Sequence, residues 1–72
     1  MEKGALMKFL IKEARKKAGM TQQELASVAG VKRETVCGLE NGRFRYPTTR
    51  TLEKLATALG TQVRELIAEE NA

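Results

Sequence analysis

The stretch TQQELASVAGVKRETVCGLENG, Thr21 to Gly42, decides the fold. Thr21 followed three residues later by Glu24 is a capping box, in which hydroxyl and carboxylate each satisfy a backbone N–H at a helix start. A helix therefore begins at Gln22, with Leu25, Ala26 and Ala29 on its inner face, where two alanines let another helix cross close by. Gly30 ends it, since glycine enters the left-handed conformation without a Cβ penalty. Val31 plugs the turn, and a further helix from about Arg33 to Glu40 faces Val36 and Leu39 inward before Asn41 and Gly42 stop it.

Working outward, Met7, Ile11, Ala14 and Ala18 fall on one helical stripe, widened by Leu10, which predicts a first helix beginning near Leu6. Gly19 closes it, and Met20 is placed for a hydrophobic staple with Leu25. Beyond Gly42, Arg43 to Pro47 (RFRYP) is a basic and aromatic loop, with Tyr46 held extended by the following proline. Thr48 caps a fourth helix of about Thr49 to Leu59, carrying Leu52, Leu55, Ala56 and Leu59 at helical spacing; Gly60 ends it. Gln62 with Glu65 is a weak capping box for a short fifth helix bearing Val63, Leu66 and Ile67. No run alternates as a strand would, so the expectation is all-α, five short helices, one domain over 1–72 with an ordered core of about 6–68. Met1 to Ala5 and Glu69 to Ala72 are expected to be loose.

Seventy-two residues are close to the size at which one core is marginal, and association with a second copy would relieve that limit. Thirteen Lys and Arg against nine Asp and Glu give a net +4, which favours a polyanionic partner. With no His and one Cys, neither a zinc site nor an intramolecular disulfide can be assembled, and the expected home is the reducing cytoplasm. The longest apolar run, Phe9 to Ile11, is too short for a signal-peptide core or a membrane span. Paired carboxylates, a nucleophile with its base, a metal cluster and a phosphate loop are all missing from the pattern, so the reading is not an enzyme and calls for no cofactor and no metal.

The two helices of the opening stretch have what a helix-turn-helix requires: Ala26 at the close approach, Gly30 at the turn, Val36 and Leu39 as anchors. On the segments EARKKAGMTQQELASVAGV, TVCGLENGR, YPTTRTLEKLATALG and VREL, spanning Ile11 to Leu66, the chain resembles the phage repressor and Cro family of helix-turn-helix regulators, the XRE type. The resemblance implies a compact, lambda-repressor-like five-helix domain whose third helix enters the major groove of double-stranded DNA. It also implies a homodimer on a pseudo-palindromic operator, for which the apolar surplus of helices 4 and 5 (Leu59, Val63, Ile67) offers an interface.

Carried over, the base-reading positions are Lys32, Arg33 and Glu34, with Cys37 and Gly38 one turn later. The side-chain chemistry agrees independently: Arg33 offers a fork suited to guanine O6 and N7, and Glu34 an acceptor for cytosine N4. The phosphate-clamping positions are Gln22, Asn41, Arg43 and Arg45. From Lys32 to Arg50 five basic residues face two acidic ones, so much of the excess charge lies beside the reading helix. Two positions depart from the family pattern. Lys32 stands where a small hydroxyl residue ordinarily caps helix 3, and it cannot accept a backbone N–H. Gly38 sits inside a helix at a cost of about 1 kcal/mol relative to alanine; either the backbone approaches DNA there or that base is not read directly.

Arg15 follows Ile11 by four residues and Glu40 follows Val36 by four, so both charges lean toward the inner face, where an unpaired charge is expensive. They are expected to pair, and the resemblance implies the same bridge between helices 1 and 3. Cys37 reads as a small, partly exposed filler rather than a redox switch. Phe44 and Tyr46 can pack on the bundle, meet a sugar-phosphate edge or join a partner surface. The expected function is sequence-specific DNA binding by a transcriptional regulator acting as a repressor. The alternative is a protein-interaction module, such as an antitoxin or bridging factor, whose main partner is another protein.

Overall fold

The capping box forms as read. In the computed structural model, which describes residues 6–44 and 46–70, Thr21 Oγ1 accepts from the Glu24 N–H at 3.0 Å, and the Thr21 N–H donates to Glu24 Oε1 at 2.8 Å. The described elements run in the order β1 (Leu6–Phe9), α1 (Ile11–Lys17), α2 (Gln22–Ala29), α3 (Arg33–Glu40), α4 (Thr49–Leu59), a 3₁₀ turn (Val63–Leu66) and β2 (Ile67–Glu70). Gly30 ends α2 at φ 75°, in the left-handed region. Its N–H donates to Ala26 O at 2.9 Å and the Val31 N–H to the same carbonyl at 3.0 Å, which closes the turn into α3. Thr48 caps α4, its hydroxyl accepting from the Thr51 N–H at 3.1 Å.

Expectations fail at both ends. The first helix does not begin near Leu6: Leu6–Phe9 is a strand, paired antiparallel with Ile67–Glu70 in the register Leu6↔Glu70 to Phe9↔Ile67. Leu10 continues the pairing by donating its N–H to Leu66 O at 2.8 Å, and only then does α1 start. Ala18 follows the last helical residue and is exposed, so the supposed stripe reduces to Ile11 and Ala14. The fifth helix is also absent. Val63–Leu66 makes a single 3₁₀ turn without a side-chain cap at Gln62, and Glu65 accepts instead from the Thr61 hydroxyl. Among the described residues the fold is therefore four α-helices with a small two-stranded sheet, not five helices. The physical reason is non-local: strand pairing joins residues 58 to 64 positions apart in the chain, and two short segments carry no local mark of it.

Ile11, Leu25, Ala26, Ala29, Val36, Leu39, Leu55, Ala56 and Leu66 form one core cluster. α2 packs against both α3 and α4, with its two buried alanines permitting the approach. Phe9, Met20, Val31, Leu59 and Val63 lie half-buried against this cluster, so two residues of the expected dimer surface also serve the protein's own core. A side chain such as Leu55, fully enclosed, contributes about 1.5–3 kcal/mol by leaving water. The expected looseness of residues 1–5, 71 and 72 lies outside the described residues, whereas Glu69 and Glu70, expected to be loose as well, pair with Met7 and Leu6 in the sheet.

Candidate nucleic-acid interface

The angle of α3 is set from behind. Glu40, in its last turn, receives Arg15 from α1 as a two-pronged pair: Nε donates to Oε2 at 2.6 Å and Nη2 to Oε1 at 3.1 Å. Gln22 Nε2, at the start of α2, donates to Oε1 at 3.0 Å, and Arg15 Nη1 donates to Met20 O at 2.8 Å. The Arg15 and Glu40 side chains are only 12% and 5% exposed. Burial opposes ionisation of Glu40, yet the hydrogen bonds from Arg15 and Gln22, with the charges of Arg15 and Lys12, outweigh it and hold the carboxyl below its ordinary pKa. The same hydrogen bond to Glu40 raises Arg15 against the opposing effect of burial. One carboxylate thus ties α1, α2 and α3 together, with the fork geometry that favours arginine over lysine.

At its other end α3 is open. Lys32 occupies the N-cap position in an extended conformation (φ −78°, ψ 148°), and no side chain caps the helix. Lys32, Arg33 and Glu34 are all exposed and Cys37 is half-buried one turn on. A cationic N-cap beside uncapped backbone N–H groups suits an anionic neighbour. Arg33, Glu34, Cys37 and Gly38 line one cleft beside α3, and Lys32 is exposed at the start of the same helix. Gly38 is itself buried, and a Cβ built on it would lie 3.0 Å from the Phe44 Cβ. The glycine makes room for the following loop, whose Phe44 N–H donates to Gly38 O at 3.0 Å.

That loop is shaped by Asn41, whose Oδ1 accepts from the Arg43 N–H at 2.9 Å and whose Nδ2 contacts Cys37 Sγ at 3.7 Å. Asn41 is exposed, and its carbonyl is engaged in holding Arg43 in position. Gln22 commits one amide hydrogen to Glu40 and keeps a second donor. Arg43 is exposed; Arg45 lies outside the described residues. Sequence reasoning left Phe44 undecided and did not single out Thr35, yet both line a cleft beside α3 together with Arg33, Cys37 and Arg43. The combination of glycine at 38 with an aromatic residue six positions later was the available signal. Tyr46, by contrast, is 85% exposed.

Two crossed helices at a left-handed glycine, with an exposed charged start on the second, define a helix-turn-helix protein. The helix-turn-helix family pattern matches residues 11–66, more than half the chain, and the protein belongs to that family, in its XRE-type branch. It is 45% identical over 56 residues to an uncharacterized HTH-type transcriptional regulator of Methanothermobacter thermautotrophicus, covering 78% of this chain and 80% of the relative. It is 40% identical over 60 residues to the immunity repressor protein of Bacillus phage phi105, covering 83% of this chain but 41% of the repressor. Among solved structures it is similar to SinR, a master regulator for biofilm formation crystallised with DNA, at TM-score 0.75 and 34% identity over 78% of this chain and 89% of that one.

Proposed function

We propose that the protein is a sequence-specific double-stranded DNA-binding transcriptional regulator that represses by occupying its operator, with α3 in the major groove. The observation that carries this reading is the exposed start of α3, Lys32–Arg33–Glu34, with a part-buried ion pair anchoring the far end of the same helix. Similarity to a regulator solved with DNA and to a phage repressor supports it. Lys32, Arg33, Glu34 and Cys37 take the base edges; Gln22, Arg43 and Arg45 take phosphates, with Asn41 positioning Arg43. The protein acts by binding rather than by catalysis.

A two-fold pair of copies places two α3 helices about one turn of DNA apart and reads a pseudo-palindromic site. Because the fifth helix is replaced, the pairing surface is the end of α4 with the 3₁₀ turn and β2, around Leu59, Val63 and Ile67. Sedimentation at high concentration is expected to show a dimer; a monomer overturns the pairing. The function itself is tested by selection from random duplexes across a salt series. A palindromic site enriched at moderate salt, with affinity falling as salt rises, is the expected outcome. No enrichment at any salt overturns the reading and leaves the protein-interaction module in its place.

A further inference from the structure

Gly38 floors a cleft of about 270 Å³. Cys37, Phe44, Thr35, Glu34 and the two arginines Arg33 and Arg43 complete its lining. The cleft persists because position 38 has no side chain: a Cβ there would crowd the Phe44 Cβ at 3.0 Å and push the wall aside. Phe44 is fixed from both directions, by its own N–H on Gly38 O and by the Asn41 turn that precedes it. It is 37% exposed and lines the opening.

An apolar recess between two arginines, on the surface that carries the reading residues, needs an apolar occupant attached to a polyanion. Among the groups that base edges present in the major groove, the C5-methyl of thymine is the one alkyl group. We infer that this cleft receives a thymine methyl group, so that Phe44, Cys37 and the missing side chain at Gly38 set specificity for a T·A pair beside the base that Arg33 reads. Charge complementarity places it: Arg33 and Arg43 in the lining match the phosphates and guanine acceptors that flank such a methyl, and Glu34 accepts from a neighbouring amino group. The inference rests on α3 lying in the major groove.

The test uses the full chain and the duplex recovered by site selection, with each thymine replaced in turn by deoxyuridine, which removes only the methyl. One thymine per half-site is expected to be sensitive, losing about fourfold in affinity per methyl. In Phe44→Ala, shown to be folded by circular dichroism, the thymine–uracil difference at that position shrinks toward unity; Cys37→Ser, which alters the other wall, is expected to reduce it in part. Indifference to uracil at every position, or an unchanged difference in Phe44→Ala, overturns the methyl cleft. If Arg33→Ala still relaxes a base preference in that case, groove reading by α3 survives without the cleft. Failure to select any site overturns both.

Discussion

Replacing Arg15 by alanine removes two hydrogen bonds to Glu40 and one to Met20 O, and strands a carboxylate that is 5% exposed with Gln22 as its remaining described partner. Breaking a fully buried pair from one side costs about 3–5 kcal/mol. Arg15 itself keeps 12% exposure, so water reaches part of the vacated space, and we place the cost at roughly 2–3 kcal/mol. At about 4–8 °C per kcal/mol for a domain of this size, the melting temperature falls by roughly 8–24 °C. Total stability for 72 residues is about 4–11 kcal/mol, so the variant stays folded but with little margin. Lys12→Ala is the comparison, since Lys12 is exposed and adds only a long-range attraction to Glu40; its cost stays within about 0.5 kcal/mol. The folded state holds Glu40 below its unfolded pKa, so this stabilisation is present above roughly pH 4.3 and is lost as pH falls through the folded value. The deficit of Arg15→Ala against the parent therefore narrows below about pH 4. Thermal unfolding of the three proteins by circular dichroism, from pH 7 to pH 3, measures all of this. Equal melting temperatures for Arg15→Ala and Lys12→Ala at pH 7 refute the role given to the pair.

Gly30→Ala meets no atom within 4 Å, so its cost is the left-handed backbone alone, about 1–2 kcal/mol, read as a shift in urea midpoint with an unchanged slope. Leu55→Ala empties a fully buried site and costs about 2–5 kcal/mol by the same assay, enough to unfold a large fraction of molecules at 37 °C. Arg43→Ala is expected to weaken binding to all sequences alike and to lower the slope of log affinity against log salt by about one.

The central unit was legible because each of its signals is local. Thr21 with Glu24, the glycine at 30 and the inward Leu25, Val36 and Leu39 each report on neighbours within one or two turns, and the structure places them where the spacing puts them. The Arg15–Glu40 pair, although 25 residues apart in the chain, was legible from the helical phase of two charges and from the family resemblance. The ends were not. Leu6 to Phe9 fits a helical stripe as well as a strand, and only pairing with Ile67 to Glu70 decides between them. Glu65 likewise had two hydroxyl or amide partners within reach, and geometry chose Thr61 over Gln62. At the reading surface the sequence showed which residues start α3 but not why a glycine sits at 38. That reason lies in the fold of the next loop, where Phe44 returns to cover it.

Reading by the start of α3 is tested most directly by site selection from random duplexes with the parent chain and Arg33→Ala side by side. The parent is expected to enrich a two-fold symmetric site, and Arg33→Ala to enrich the same site with preference relaxed at one base pair in each half, at a cost of about 1–3 kcal/mol there. An identical preference profile for the two proteins, with Arg33→Ala weaker on every sequence alike, contradicts the account and makes Arg33 a phosphate clamp.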